Sequence, residues 1–194
     1  MNLGSAVATV AVLNLVYFGI EFSVALAIGS VSLFADSVDF LEDASVNFLI
    51  LAALGWSAMN RARVGRSLAV VLLVPALAGL WTAWTKFGTP IPPAPVPLSM
   101  TALGALAINV FCAFLLARYR DVSGSLTKAA FLSARNDALA NVAIIAAGGL
   151  TAYTVSIWPD LIVGVGIAVL NADAARAVYQ AALKEVPVSN QAAH

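Results

Sequence analysis

Six stretches of this chain stay apolar for about 20 residues each, the length of α-helix that crosses the hydrocarbon of a bilayer. They cover residues 5–28, 31–58, 67–85, 98–117, 129–155 and 160–183, with short connections between them. Backbone N–H and C=O groups in lipid must be satisfied within the protein, and for runs of this length the helix does that. The sequence therefore predicts an all-α polytopic membrane protein, a bundle of six transmembrane helices. Composition agrees: 61% of the 194 residues are hydrophobic, 10% are charged, and the mean hydropathy is +0.93. Soluble domains carry about 25% charged residues. A formal net charge of zero leaves no footprint for nucleic acid. The single Cys112 excludes a disulfide framework and a cysteine-based zinc cluster, and the single His194 ends the chain.

Basic residues set the orientation. Arg61, Arg63 and Arg66 lie between spans two and three, Arg118, Arg120 and Lys128 between spans four and five, and Arg176 and Lys184 close span six. Only Lys86 belongs to the opposite set of loops. By the positive-inside rule both termini are cytoplasmic, in a multi-pass protein of the cell membrane, of the bacterial inner-membrane type. Residues 1–5 lack a basic region, so the first run reads as a retained span rather than a leader. Residues 88–97, GTPIPPAPVP, read as a stiff, extended loop. The expected organisation is one six-helix transmembrane domain over 1–185, then a short disordered cytoplasmic tail over 186–194, with no soluble C-terminal domain.

Two spans carry acids in their middles. An ionised side chain at the bilayer centre costs roughly 2.5–3.5 kcal/mol on insertion scales, and such residues mark ion pathways. In span two, Asp36, Asp39 and Asp43 fall at i, i+3 and i+7, within one sector of about 60°, with Asn47 beside them and Glu42 pointing away. In span five, Ser133, Asn136, Asp137 and Ala140 share one face, with Asn141 at its edge. The spans run antiparallel. At 1.5 Å per residue, Asp43 lies roughly 18 Å from one surface and Asp137 roughly 14 Å from the other, the same level of a ~30 Å core. Carboxylates at one depth repel, and a divalent cation or protons relieve them. A site choosing between metal and protons is in principle an antiporter site.

At these residues the chain resembles the cation diffusion facilitator family of metal exporters. The likeness rests on Asn14-x-x-Tyr17-Phe18-Gly19-Ile20-Glu21 in span one and on Gly29-Ser30-Val31-Ser32-Leu33-Phe34-Ala35-Asp36-Ser37-Val38-Asp39-x-x-x-Asp43 leading through span two. Trp158-Pro159-Asp160-Leu161-Ile162 resembles the family's entry into span six. The family's (H/D)xxxD pair in span two corresponds to Asp39 and Asp43. In its HxxxD pair of span five, Asp137 takes the acid position and Ser133 stands where the histidine would be. The resemblance implies metal ligation by Asp39, Asp43, Asp137 and Ser133, with Asn136, Asp36, Glu21 and Asn47 as supporting or pathway residues. It also implies proton-driven efflux of a divalent cation carried as substrate, no permanently bound cofactor, and a homodimer. Without the family's usual cytoplasmic C-terminal domain, that dimer would form through the spans alone, as in the family's short members. Zinc leads by family precedent, with cadmium and cobalt next. Serine in place of imidazole moves preference towards manganese, iron(II) or magnesium.

Other polar residues have plainer readings. Asp160, after Trp158-Pro159, reads as a helix cap at the start of span six. Asp173 pairs with Arg176 one turn on or faces headgroups, and Arg135 snorkels to headgroups. Asn14, Asn47, Asn109 and Asn141 read more readily as interhelical hydrogen-bonders than as ligands. The competing function is a metal-dependent membrane enzyme, such as a lipid-headgroup transferase whose aspartates hold magnesium. A DGxxAR opening and a phosphate-binding arginine are missing for it. A packing protein without transport would leave the three carboxylates at one level unexplained.

Overall fold

The computed structural model describes residues 2–53, 77, 79–119 and 125–170, with side chains from 133 onward in the last segment. The Arg61–Arg66 cluster, much of the third span, Arg120, the Lys128 side chain, the far part of span six with Asp173, Arg176 and Lys184, and the 186–194 tail lie outside these residues.

Every regular element among the described residues is helical. The elements are α1 (Leu3–Ile28), α2 (Val31–Ala53), α3 (79–88), α4 (Pro95–Ala117), α5 (Ser125–Thr154) and α6 (Trp158–Leu170). The side chain of Asn2 caps α1 by accepting the backbone N–H of Ser5 at 2.8 Å. Gly29 ends α1 in the left-handed region at φ 62°, where a Cβ would be strained, and turns the chain straight into α2. Proline opens α4, where its missing N–H costs no helical bond. Pro95 therefore belongs to a helix, and the expected 88–97 loop contracts to 89–94.

α1 packs on α2 and α4, α5 packs on α4 and α2. Among the described residues, α1 and α4 are long and apolar enough to cross a membrane. The acids of α2 and α5 keep those two helices less apolar. The outside of the bundle is hydrocarbon: Val12, Val16 and Ile20 of α1 and Val110, Phe111 and Phe114 of α4 are exposed. Its inside is partly polar, with Asn14, Glu21, Asp36, Asn109 and Asn141 buried. That inversion suits lipid as the solvent.

Two apolar clusters bracket the polar level. Ala25, Leu33, Phe34, Leu98, Ala102, Ile144 and Ile167 fill the end of the bundle near Gly29. Val7, Val10, Ile50, Cys112, Leu116 and Ala134 fill the opposite end.

The Gly29 end is tied together by one anion. Asp160 accepts hydrogen bonds from Ser30 Oγ (2.6 Å), Ser32 Oγ (2.6 Å), the Val31 N–H (2.9 Å) and the Ser32 N–H (3.1 Å). The Lys86 ammonium lies 3.8 Å away and also donates to the Ile91 carbonyl at 3.1 Å. Asp160 thus caps α2 across the bundle instead of the helix it begins, because the orphan N–H groups of α2 point at it. Beside it, a Cβ on Gly164 would stand 2.7 Å from Ser32 N and 2.7 Å from the Val31 carbonyl carbon. At that point α6 and α2 meet backbone to backbone.

Candidate metal site

Between α2, α5 and α6, at the level left free by the two apolar clusters, lies a cavity of about 670 Å³. α2 lines it with Asp39, Glu42 and Asp43, and α5 with Ser133, Asn136, Asp137 and Ala140. α6 supplies an apolar wall of Val163, Ile167 and Leu170. No lysine or arginine lines it among the described residues.

The closest convergence joins the two antiparallel helices. Ser133 Oγ donates to Asp43 Oδ1 at 2.9 Å. The Asp43 and Asp137 carboxyl groups lie within hydrogen-bonding reach of each other. Asp39, 8% exposed, flanks them one turn along α2. Among the described residues no three acid, imidazole or thiol side chains close around a single point. The tight group is two carboxylates and a hydroxyl, with further oxygens around the wall.

The structure divides the sequence-predicted residues. Asp39, Asp43, Ser133, Asn136 and Asp137 surround one cavity. Asn136 is exposed there, and its Oδ1 accepts from Arg135 at 3.4 Å. Asp36, Glu21 and Asn47 do not line it. Asn47 turns back on its own helix, donating to the Asp43 carbonyl at 2.8 Å. That bond fixes the backbone beneath Asp43 but takes the amide out of the cavity. Asp36 and Glu21 are fully buried on neighbouring helices.

Glu42 is a correction. It was expected to point away, yet it lines the cavity. On an α-helix it falls about 60° from Asp39, on the side opposite Asp43, so a cavity centred between Asp39 and Asp43 reaches it. Measuring the sector from Asp36 hides this, because Asp36 is not part of the lining.

Asn141 makes the interhelical hydrogen bond expected of it. Its Nδ2 donates to Asp36 Oδ1 at 3.2 Å and to the Asp137 carbonyl at 2.6 Å. It joins α5 to α2 just beyond the cavity. The signal was its position one turn after Asp137 on the acid-bearing helix.

A helical bundle that lines a cavity with carboxylates and, among the described residues, brings no lysine or arginine to it is suited to taking up positive ions. The cation efflux transmembrane domain matches residues 7–185, and the chain belongs to the cation efflux family. The resemblance seen in spans one, two, five and six is thereby borne out. Comparison with curated proteins gives no match. Membership makes this a membrane protein of metal cation efflux and a transporter rather than an enzyme, which removes the lipid-headgroup transferase alternative.

Proposed function

We propose that this chain exports a divalent transition-metal ion, zinc first, in exchange for protons, by alternating exposure of the cavity between α2, α5 and α6. Cadmium, cobalt, manganese and iron(II) are the other candidate substrates. The observation that carries the reading is the meeting of Asp43, Asp137 and Ser133 across two antiparallel helices, in a cavity that holds no basic side chain among the described residues.

Asp43 and Asp137 hold the ion, Asp39 and Ser133 complete its oxygen shell, and Asn136 and Glu42 contribute from the wall. Two negative charges drawn together need a doubly charged guest or protons, so occupancy by one excludes the other. Metal enters from the cytoplasmic face, and protons arriving from the opposite face displace it there. Access changes around a site near the bilayer midplane, as in other secondary transporters. The Gly29 end is the outer one in this reading, and a homodimer in the bacterial inner membrane is its working form.

The test uses purified full-length protein in proteoliposomes with an imposed pH step. Zinc is expected to move against a proton counterflow, and Asp43→Ala or Asp137→Ala is expected to abolish both fluxes. Normal flux in both variants would remove the site. Metal flux without proton movement would leave the metal site and remove the exchange.

A further inference from the structure

A second polar pair lies outside the cavity lining. Glu21 on α1 and Asp36 on α2 are both 0% exposed, and their carboxyl groups lie within hydrogen-bonding reach of each other. Each is a short way in from the Gly29 turn, Glu21 about 10 Å and Asp36 about 8 Å along its helix. The pair therefore sits level across two helices.

Donors for this pair are scarce. Asn141 Nδ2 reaches Asp36 Oδ1 at 3.2 Å. Asp36 Oδ2 and both oxygens of Glu21 are buried and accept no hydrogen bond from a protein donor. Tyr17, one turn before Glu21, has its hydroxyl committed to the Thr101 carbonyl at 2.7 Å. The other ionisable groups nearby have the wrong sign: Asp39 and Asp43 on α2 and Asp137 on α5. The helix packed on the far side of α1, α4, brings the apolar-packed Cys112 and the amide of Asn109, and no acid or base. Lys86, the one described lysine with a placed side chain, is held at Asp160.

Two facing carboxylates with no cation between them repel, whereas one proton placed between them makes a short, charge-assisted O–H···O bond. We propose that Glu21 and Asp36 form a proton-binding site, holding one shared proton between α1 and α2, separate from the metal cavity. Its ligand is a proton and no other ion, because the three unpartnered oxygens of the pair fall short of the shell a divalent metal takes. The proton ties the two helices together at the Gly29 end. Its use in the transport cycle rests on the exchange proposed above; its existence does not.

The test is infrared difference spectroscopy on metal-free, full-length protein in lipid nanodiscs at neutral pH, before and after saturating zinc. Protonated-carboxyl absorption from the cavity is expected to vanish when zinc binds, while one band persists. Glu21→Gln is expected to remove that persistent band, since the new amide donates to Asp36 and lets it ionise. Asp36→Asn is expected to shift or remove the same band. In the parent protein, carboxyl-13C labelling of glutamate or of aspartate is expected to move it, a result that needs no variant to fold. Absence of any persistent band, or a band untouched by both substitutions and both labels, overturns the proposal. Retained zinc binding in Asp43→Ala would sink the metal site alone and leave this one standing.

Discussion

Asp160 and Asp43 are both buried aspartates, at 0% and 6% exposure, yet they do opposite work. Asp160 receives two hydroxyl and two backbone N–H donors and has an ammonium 3.8 Å away. Its charge is fully answered by the protein, so it binds helices together and has nothing left for a guest. Asp43 receives one hydroxyl, from Ser133, and faces another acid. The difference between a fastening and a binding group is therefore the supply of donors, not the depth in the membrane. A carboxylate left short of donors inside hydrocarbon is unstable until something positive arrives, and that shortage runs along α1, α2 and α5.

Five substitutions sharpen this contrast, in falling order of effect. Asp43→Ala and Asp137→Ala are expected to bring zinc flux down to that of protein-free vesicles, with melting temperature held or raised, because an under-satisfied charge is removed. A large loss of thermal stability there would erase the distinction. Asp160→Ala is expected to do the reverse: it strands Lys86 and the N–H groups of α2, costing about 3–5 kcal/mol, seen as a clear drop in melting temperature in detergent. Gly164→Ala adds a methyl where Val31 and Ser32 backbone leaves no room, for about 1–3 kcal/mol of destabilisation by the same measurement. An unchanged melting point would mean that α6 shifts freely against α2. Ser133→His is expected to raise preference for zinc over manganese about tenfold in a competition assay, since imidazole suits zinc better than a hydroxyl. Equal relative affinities before and after would exclude Ser133 from the shell.

Periodicity and depth made much of this molecule legible. Two independent depth arguments put Asp43 and Asp137 at one level, and the helices do meet there through Ser133. Span ends were less readable at prolines, because Pro95 serves equally as a loop residue or as the first residue of a helix. Glu42 lines the cavity against expectation, and Asn47 supports Asp43 only through the backbone. A helical wheel gives the direction of a side chain but not where the neighbouring helix leaves a gap, nor whether an amide prefers its own backbone. Asp160 was read as local because capping is usually local, and its four donors come from residues about 130 positions earlier, a distance no spacing rule covers.

The contact at Gly164 has a mechanical consequence. With no side chain between them, α6 and the start of α2 behave as two blades riveted near one tip. Whatever widens or narrows the cavity then swings from the free tips, around Leu170 and beyond Asp43, while the riveted tip stays shut. In the alternating-exposure reading proposed above, opening to the other face would demand that the rivet itself slide, so the Gly164 contact is where the direction of travel would be decided.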